Sequence, residues 1–299
     1  MKKTVYIFLT ILAALSCRKG DVFEKPDYYS LDTSTRMAAE IVKGTPDYFG
    51  HIKHDKVTNL AQGVSLLDLS CLDRNGHAVQ MYVYKVVLGT ATLGVALPAA
   101  DKKIALPSEL AAQLNKEVTV LGAVNGDAAT ADNQPSGIVY RNGVAVKSTF
   151  SDQKGGFLAT LKDGTAVLAG QGTYGMYRTS IQNAIGTREF ILDDGYPVME
   201  TAPKLEARTF VAVSEDGMTV WLGVVDGVMF EYSNGISCSD LAAILKAAGA
   251  WNAALLNSGD VTTAIVRDDL GEKLFPLVNS PSAKGIEKES VNALAIIEN

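Results

Sequence analysis

The feature that most limits how this chain can fold is a recurring two-residue punctuation. Asn75-Gly76, Asn142-Gly143, Asp163-Gly164 and Asp216-Gly217 each interrupt runs of alternating or β-branched apolar residues. Such pairs supply the left-handed backbone of a tight hairpin, while the flanking alternation puts every second side chain on one face of a sheet. Hairpins are therefore expected from 62–69 with 78–88, within 135–146, from 157–161 with 165–168, and within 206–226. A further strand, 91–97, stops at Pro98. Helical signals are fewer. They are an amphipathic stretch at 34–43, a helix opened by Pro107 with Leu110 and Leu114 on one face, and a capped helix at 237–248. In that last helix Ser239 is the expected N-cap and Gly249 the stop. Hairpins outnumber helices, so the fold class expected is α+β, with a large, mostly antiparallel twisted sheet system and a few packed helices.

Residues 1–17 carry a different signal. Lys2 and Lys3 precede an apolar run at 5–15, then Ser16 and Cys17, which is the pattern of an export leader. The run is too short to span a bilayer as a mature helix. Ala14, Leu15, Ser16 and Cys17 resemble a bacterial lipoprotein leader, cleaved before Cys17 with lipid on its thiol; ordinary signal-peptidase cleavage nearby is the alternative. The expectation is an exported protein, lipid-anchored to the bacterial cell envelope through Cys17, periplasmic or on the outer surface. Residues 18–56 then read as a tether with one short helix, and 57–299 as the main domain.

The net charge of −6 becomes more negative once the leader lysines are removed. That argues against a nucleic-acid groove, which needs a clustered basic face. Apart from Cys17 only Cys71 and Cys238 remain, as a disulfide or as two buried thiols. His51 and His54 read as exposed loop histidines, because no third ligand lies near them. All three histidines precede residue 80, which argues against a Ser/His/Asp triad or a His-ligated zinc later in the chain.

Two stretches end a buried strand in polar residues. In 118–127 the apolar run delivers Asn125, Gly126 and Asp127. In 250–267 it runs into Asn257, Ser258, Gly259 and Asp260 before β-branched residues resume at Val261. From residue types alone each is either a hairpin turn or a ligand-facing strand end.

The chain resembles the phosphodiester glycosidase family across about residues 57–299. Residues 255–263 follow that family's NLDGGGSTT pattern, with Asn257 for its Asp, Ser258 and Asp260 for two glycines, and Val261 for its Ser. Val278, Asn279 and Pro281 follow its VNxP element, and Asn292, Ala293 and Leu294 its last strand. Residues 125–127 fall on its NGxFF motif, with Ala128 and Ala129 in place of the aromatics. Ala184, Ile185 and Gly186 match its AIGGGP element, where Thr187, Arg188 and Glu189 replace Gly, Gly and Pro. Arg208 and Thr209 match its RT pair.

The resemblance implies cleavage of the glycosidic bond of sugar 1-phosphodiesters. The leaving phosphate needs little proton donation, so the demands are a carboxylate, a group that orients water, and a cation for the phosphate. Asp127, Arg208 and Asp260 are the expected catalytic residues. Asn125, Gly126, Thr209, Asn257, Gly259, Thr262, Asn279 and Arg188 are the expected contacts to a glycan or sugar-phosphate ligand. Arg188 and Glu189 either point into the pocket or are solvated loop charges. No cofactor is required; a hard divalent ion such as calcium is conceivable on Asp127 and Asp260 oxygens. The alternative is a catalytically impaired relative that binds carbohydrate.

Overall fold

The computed structural model describes residues 25–151, 155–282 and 284–299. The leader and its lipid-anchor cysteine, Cys17, lie outside them. In chain order, helix α1 (Arg36–Gly44) precedes strands β1 (Phe49–Ala61), β2 (Val64–Asp73), β3 (Ala78–Val87) and β4 (Ala91–Ala96). Helix α2 (Pro107–Leu114) leads to β5 (Val120–Asn125), β6 (Val139–Arg141), β7 (Val144–Lys147), β8 (Gly156–Leu161) and β9 (Ala166–Gly170). A single helical turn, α3 (Tyr174–Tyr177), precedes β10 (Ile181–Thr187), β11 (Phe190–Asp193), β12 (Tyr196–Pro197), β13 (Arg208–Val213) and β14 (Thr219–Val225). Helix α4 (Cys238–Ala247), β15 (Asn252–Leu255), β16 (Ala264–Val266) and β17 (Ala293–Glu298) complete the fold.

The strands form three antiparallel sheets. Eight run in the order β1-β2-β3-β14-β13-β15-β11-β12, five in the order β7-β6-β10-β8-β9, and four in the order β16-β5-β17-β4. With few helices and antiparallel pairing throughout, this is the α+β class read from the hairpin punctuation. The Asn142 and Gly143 turn has positive φ at both residues, 52° and 78°, as a two-residue hairpin loop requires.

Alternation along the central strands explains how the sheets stack. Phe210 and Ala212 of β13, with Trp221 and Val225 of β14, join one core beneath α1 and α4. Their neighbours Val211, Val213, Leu222 and Val224 enter a second core shared with Leu121 and Val124 of β5 and with Leu294 and Ile296 of β17. The four-stranded sheet turns its other face to α2 through Val120, Ala123 and Ala295. Central strands buried on both faces must be nearly all apolar, and β13, β14 and β5 are.

Three expectations need correction. The boundary placed at residues 56 and 57 falls inside β1, and the short helix expected at 34–43 is α1, which belongs to the domain and buries Ala38, Ile41 and Val42 in the first core. His51 lies in a strand, not a loop, with its ring stacked on Tyr29 and Nδ1 against Ser30. The N-cap of α4 is Ser237, whose hydroxyl accepts the Asp240 N–H at 3.1 Å and donates to its carboxylate at 2.7 Å. Ser239 instead reaches Glu200. Cys71 and Cys238 are both free thiols, which resolves that alternative.

A buried hydrogen bond from β3 to β16 helps tie the eight- and four-stranded sheets together. The fully buried Tyr84 of β3 donates its hydroxyl to the Ile265 carbonyl of β16 at 2.6 Å. Its ring lies against Gly122, where any side chain would meet it at 3.1 Å. Tyr84→Phe keeps the ring and removes the donor. It should lower the unfolding free energy in urea by about 1–2 kcal/mol without changing the fold.

Candidate active site

Ends of strands from all three sheets meet at one place. Strand β5 of the four-stranded sheet finishes at Asn125, beside the start of β13 at Arg208 and the end of β15 at Leu255 in the eight-stranded sheet. Strand β10 of the five-stranded sheet ends at Thr187 close by, where the Arg188 N–H donates to the Leu255 carbonyl at 2.7 Å. The segment 256–263 is therefore a crossing between sheets, not the tight turn of a hairpin. A 3-10 turn at Gly259–Val261 makes the change of direction, and pairing resumes only at Ala264, against β5.

Asn125 holds the junction. It is fully buried, and its Nδ2 donates to the Asn257 carbonyl at 2.7 Å. Its Oδ1 accepts from the Thr209 hydroxyl at 2.8 Å and from the Thr263 N–H at 2.9 Å. One amide thus spans β5, β13 and both ends of the crossing segment. Gly126 follows because no side chain fits: a Cβ there would sit 2.0 Å from the Asn292 oxygen. Its carbonyl accepts the Asn257 N–H at 3.0 Å. Asn279 does similar work, donating to Asp226 at 2.7 Å and to the Thr262 carbonyl at 3.1 Å, and accepting the Ala264 N–H at 2.8 Å. The expected substrate contacts Asn125, Thr209 and Asn279 thus spend these polar groups inside the protein. Thr262 keeps a buried hydroxyl without a partner.

Asp127 is buried behind this junction at 2% exposure. The Asn292 side-chain oxygen accepts its N–H at 2.8 Å, and its Oδ2 accepts the Gly137 N–H at 2.6 Å. Gly186 leaves room for the carboxyl, since a Cβ there would come within 2.5 Å of that oxygen. Burial pushes the carboxyl up to about 6, against the Gly137 and Ala128 N–H groups and the positive charges of Lys147 and Arg188.

In front lies an open cavity of about 330 Å³, lined by Arg188, Glu189, Glu206, Arg208, Leu255, Asn257, Ser258 and Gly259. That is within the range of small-ligand sites. Larger hollows beside α1 and α2 are lined by none of the motif residues. The Arg208 guanidinium is 7% exposed; it pairs with Glu206 at 3.0 Å and donates to the carbonyls of Ile236 and Lys204, each at 3.3 Å. Arg188 and Glu189 do line the cavity, as a half-exposed pair 3.6 Å apart. Gly259 holds a left-handed φ of 80° at the rim, where a side chain would strain the backbone.

Asp260 stands apart. Its carboxylate is exposed, pairs with Lys288 at 2.9 Å and does not line the cavity. The two carboxylates considered for a hard divalent ion have different partners, Asp127 a backbone N–H and Asp260 a lysine. Among the described residues no group of three or more acidic, His or Cys side chains is gathered to hold a metal.

Sequence reasoning singled out Asp127, Arg208 and Arg188 but gave no role to Glu206, Ser258, Asn292 or Lys147. Asn292 was visible as part of the last strand motif; Lys147 carries no local signal.

The sequence profile of the phosphodiester glycosidase family matches residues 119–297, more than half of the chain, and the chain belongs to that family. The fold is similar to the catalytic domain of zebrafish N-acetylglucosamine-1-phosphodiester alpha-N-acetylglucosaminidase, auto-inhibited by its pro-peptide. The TM-score is 0.62 at 17% identity, covering 82% of this chain and 88% of that one. A protein of Synechocystis matches with TM-score 0.56 at 13% identity, over 82% of this chain and 64% of that chain. One from Burkholderia pseudomallei matches with 0.52 at 14%, over 75% of each. At these identities the likeness is one of fold. No curated protein sequence matches the chain.

Two outcomes follow. Asn125→Ala strands a hydroxyl, an N–H and a carbonyl in a dry site, so the urea midpoint should drop by an amount worth about 3 kcal/mol or more. Asp127 binds its proton more tightly folded than unfolded, so its share of stability is present below pH 3.8 and is lost as pH rises to about 6. The loss is about 3 kcal/mol at most. Asp127→Asn should therefore gain stability on the wild type between pH 4 and pH 7; a gap that stays constant with pH contradicts the burial of this carboxyl.

Proposed function

We propose that the protein hydrolyses the glycosidic bond of sugar 1-phosphodiesters carried on envelope or host glycans. The observation that carries the reading is a buried carboxyl, Asp127, that feels the charge of Arg188, which with Arg208 lines a cavity built from strand ends; Asp127 itself is not among the residues lining it. Arg188 connects the two parts: it lines the cavity, and its charge acts on Asp127. An arginine presents a planar fork of donors that suits phosphate oxygens, and the donors of Arg208 not committed to Glu206, Ile236 and Lys204 are available to it.

In this reading the diester phosphate sits against Arg188 and Arg208, and the sugar occupies the side toward residues 257–259. Water attacks the anomeric carbon while the carbon–oxygen bond to phosphate breaks. The phosphate monoester leaves with the bonding electrons, stabilised by the guanidiniums, and Asp127 takes the proton from water. A base that titrates at about 6 is ionised at neutral pH yet still basic enough to share a proton in the transition state. Asp260 has no part in this scheme.

A second reading has its own support. Arg188 and Glu189 form an ion pair in the cavity, and the carboxyl of Asp127 is sealed at 2% exposure. A relative with an occluded base would bind carbohydrate without cleaving it. We further propose export and lipid anchoring at Cys17, on the strength of the leader pattern; the mass of the mature N-terminal peptide tests it.

The decisive experiment incubates the soluble domain with N-acetylglucosamine 1-phosphodiesters and follows free sugar. Release should fall by a factor of about 10² to 10⁴ in Asp127→Asn, the usual weight of a general base. Arg208→Lys should chiefly weaken diester binding. Saturable binding with no release from a panel of diesters supports the binding-only reading.

A further inference from the structure

The turn at residues 136 and 137 is gripped from its far side by a cation. The Lys147 ammonium, at the end of β7, donates to the carbonyls of Ser136 at 3.2 Å, Gly137 at 3.1 Å and Thr149. An ammonium has one N–H for each of these acceptors, so this one is fully committed within the protein. The peptide unit joining Ser136 to Gly137 is therefore bonded at both ends. Its oxygen accepts from the ammonium, and its N–H donates to Asp127 Oδ2 at 2.6 Å.

An amide whose oxygen is bonded to a cation is a better donor, because electron density drawn toward the oxygen leaves the N–H more positive. Such polarisation passes along the chain of bonds, here from a partly buried ammonium to a buried N–H and carboxyl. We propose that Lys147 is a positioning residue for Asp127, acting through the Ser136–Gly137 peptide: it fixes the N–H that holds the carboxyl and favours the ionised form. The consequence for rate rests on the reading of Asp127 as the reacting base, whereas the coupling itself rests on the geometry alone.

A brace made only of shape would behave differently. A neutral donor holds the same turn but leaves the carboxyl without the charge behind it. The charged groups facing Asp127 are Lys147 from β7 and Arg188 beyond β10, and both favour its carboxylate against burial. The reverse effect is also present: burial lowers the Lys147 ammonium, and the Asp127 charge opposes that lowering. Because Arg188 projects into the cavity, substrate phosphate would screen it. Lys147, wrapped in carbonyls, stays where it is.

The test follows the side-chain carboxyl carbon of Asp127 by NMR through a pH titration of the folded domain. Lys147→Met should raise the midpoint by roughly one pH unit, and Lys147→Arg should return it close to the wild-type value. The basic shift should reappear in the pH profile of hydrolysis, with kcat moved more than KM. An unmoved Asp127 midpoint in a folded Lys147→Met protein overturns the proposal. A moved midpoint with an unmoved activity profile leaves the coupling intact and removes Asp127 from the reaction. If Lys147→Met does not fold, the reciprocal measurement decides. In Asp127→Asn the Lys147 ammonium should titrate lower than in the wild type, since the coupling acts equally in both directions. An unchanged Lys147 titration there also overturns it.

Discussion

The site depends on one buried amide. Asn125 ends a strand of the four-stranded sheet, yet its side chain bonds to Thr209 near the start of β13 and to both ends of the 257–263 crossing. Sheets that stack only through apolar side chains fix their separation well and their lateral register poorly, because dispersion and the hydrophobic effect are non-directional. Hydrogen bonds in a dry interior are directional, and each group left unmade costs far more than a made one gains. Asn125 thus converts loosely specified packing into a definite placement of Gly126, Asp127, Arg208 and Asn257. Asn279 does the same one layer out, anchored in turn to the buried Asp226.

Around that hub, small residues decide what the charged ones can do. Gly186 and Gly137 approach each other so closely that neither tolerates a Cβ, and the gap they leave is filled by the Asp127 carboxyl. Removed from water, the acid is raised even though the Gly137 and Ala128 N–H groups favour its charged form. Of the two guanidiniums that line the cavity, Arg188 is half-exposed, whereas Arg208 is buried on Glu206 and the carbonyls of Ile236 and Lys204. In the proposed reading these cations would meet the negative charge arriving on a leaving phosphate.

How much of this the sequence disclosed follows from the range of the interactions involved. Hairpin turns are local, so the Asn-Gly and Asp-Gly pairs located the strands and the α+β class. Asn125, Asp127 and Arg208 were legible because strand ends bearing polar residues stand out against apolar runs, and because family motifs cover them. The sheet to which a strand belongs is not local. Nothing in 250–267 distinguishes a hairpin from a crossing between sheets, since both are apolar runs around a polar break. Asp260 looked catalytic for the same reason; in the fold its carboxylate is exposed and pairs with Lys288, 28 residues away. Ser237 and Ser239 compete for one cap, and only the position of Glu200 separates them. Lys147 reaches Asp127 through a turn formed by other residues, a relation no spacing rule encodes.

The most direct measurement is the structure of Asp127→Asn bound to an intact sugar 1-phosphodiester. The account requires the phosphate to lie against Arg188 and Arg208, with the anomeric carbon turned toward residue 127 and the sugar near residues 257–259. A diester bound elsewhere on the molecule, or seated in this cavity with its anomeric carbon facing away from residue 127, would contradict it.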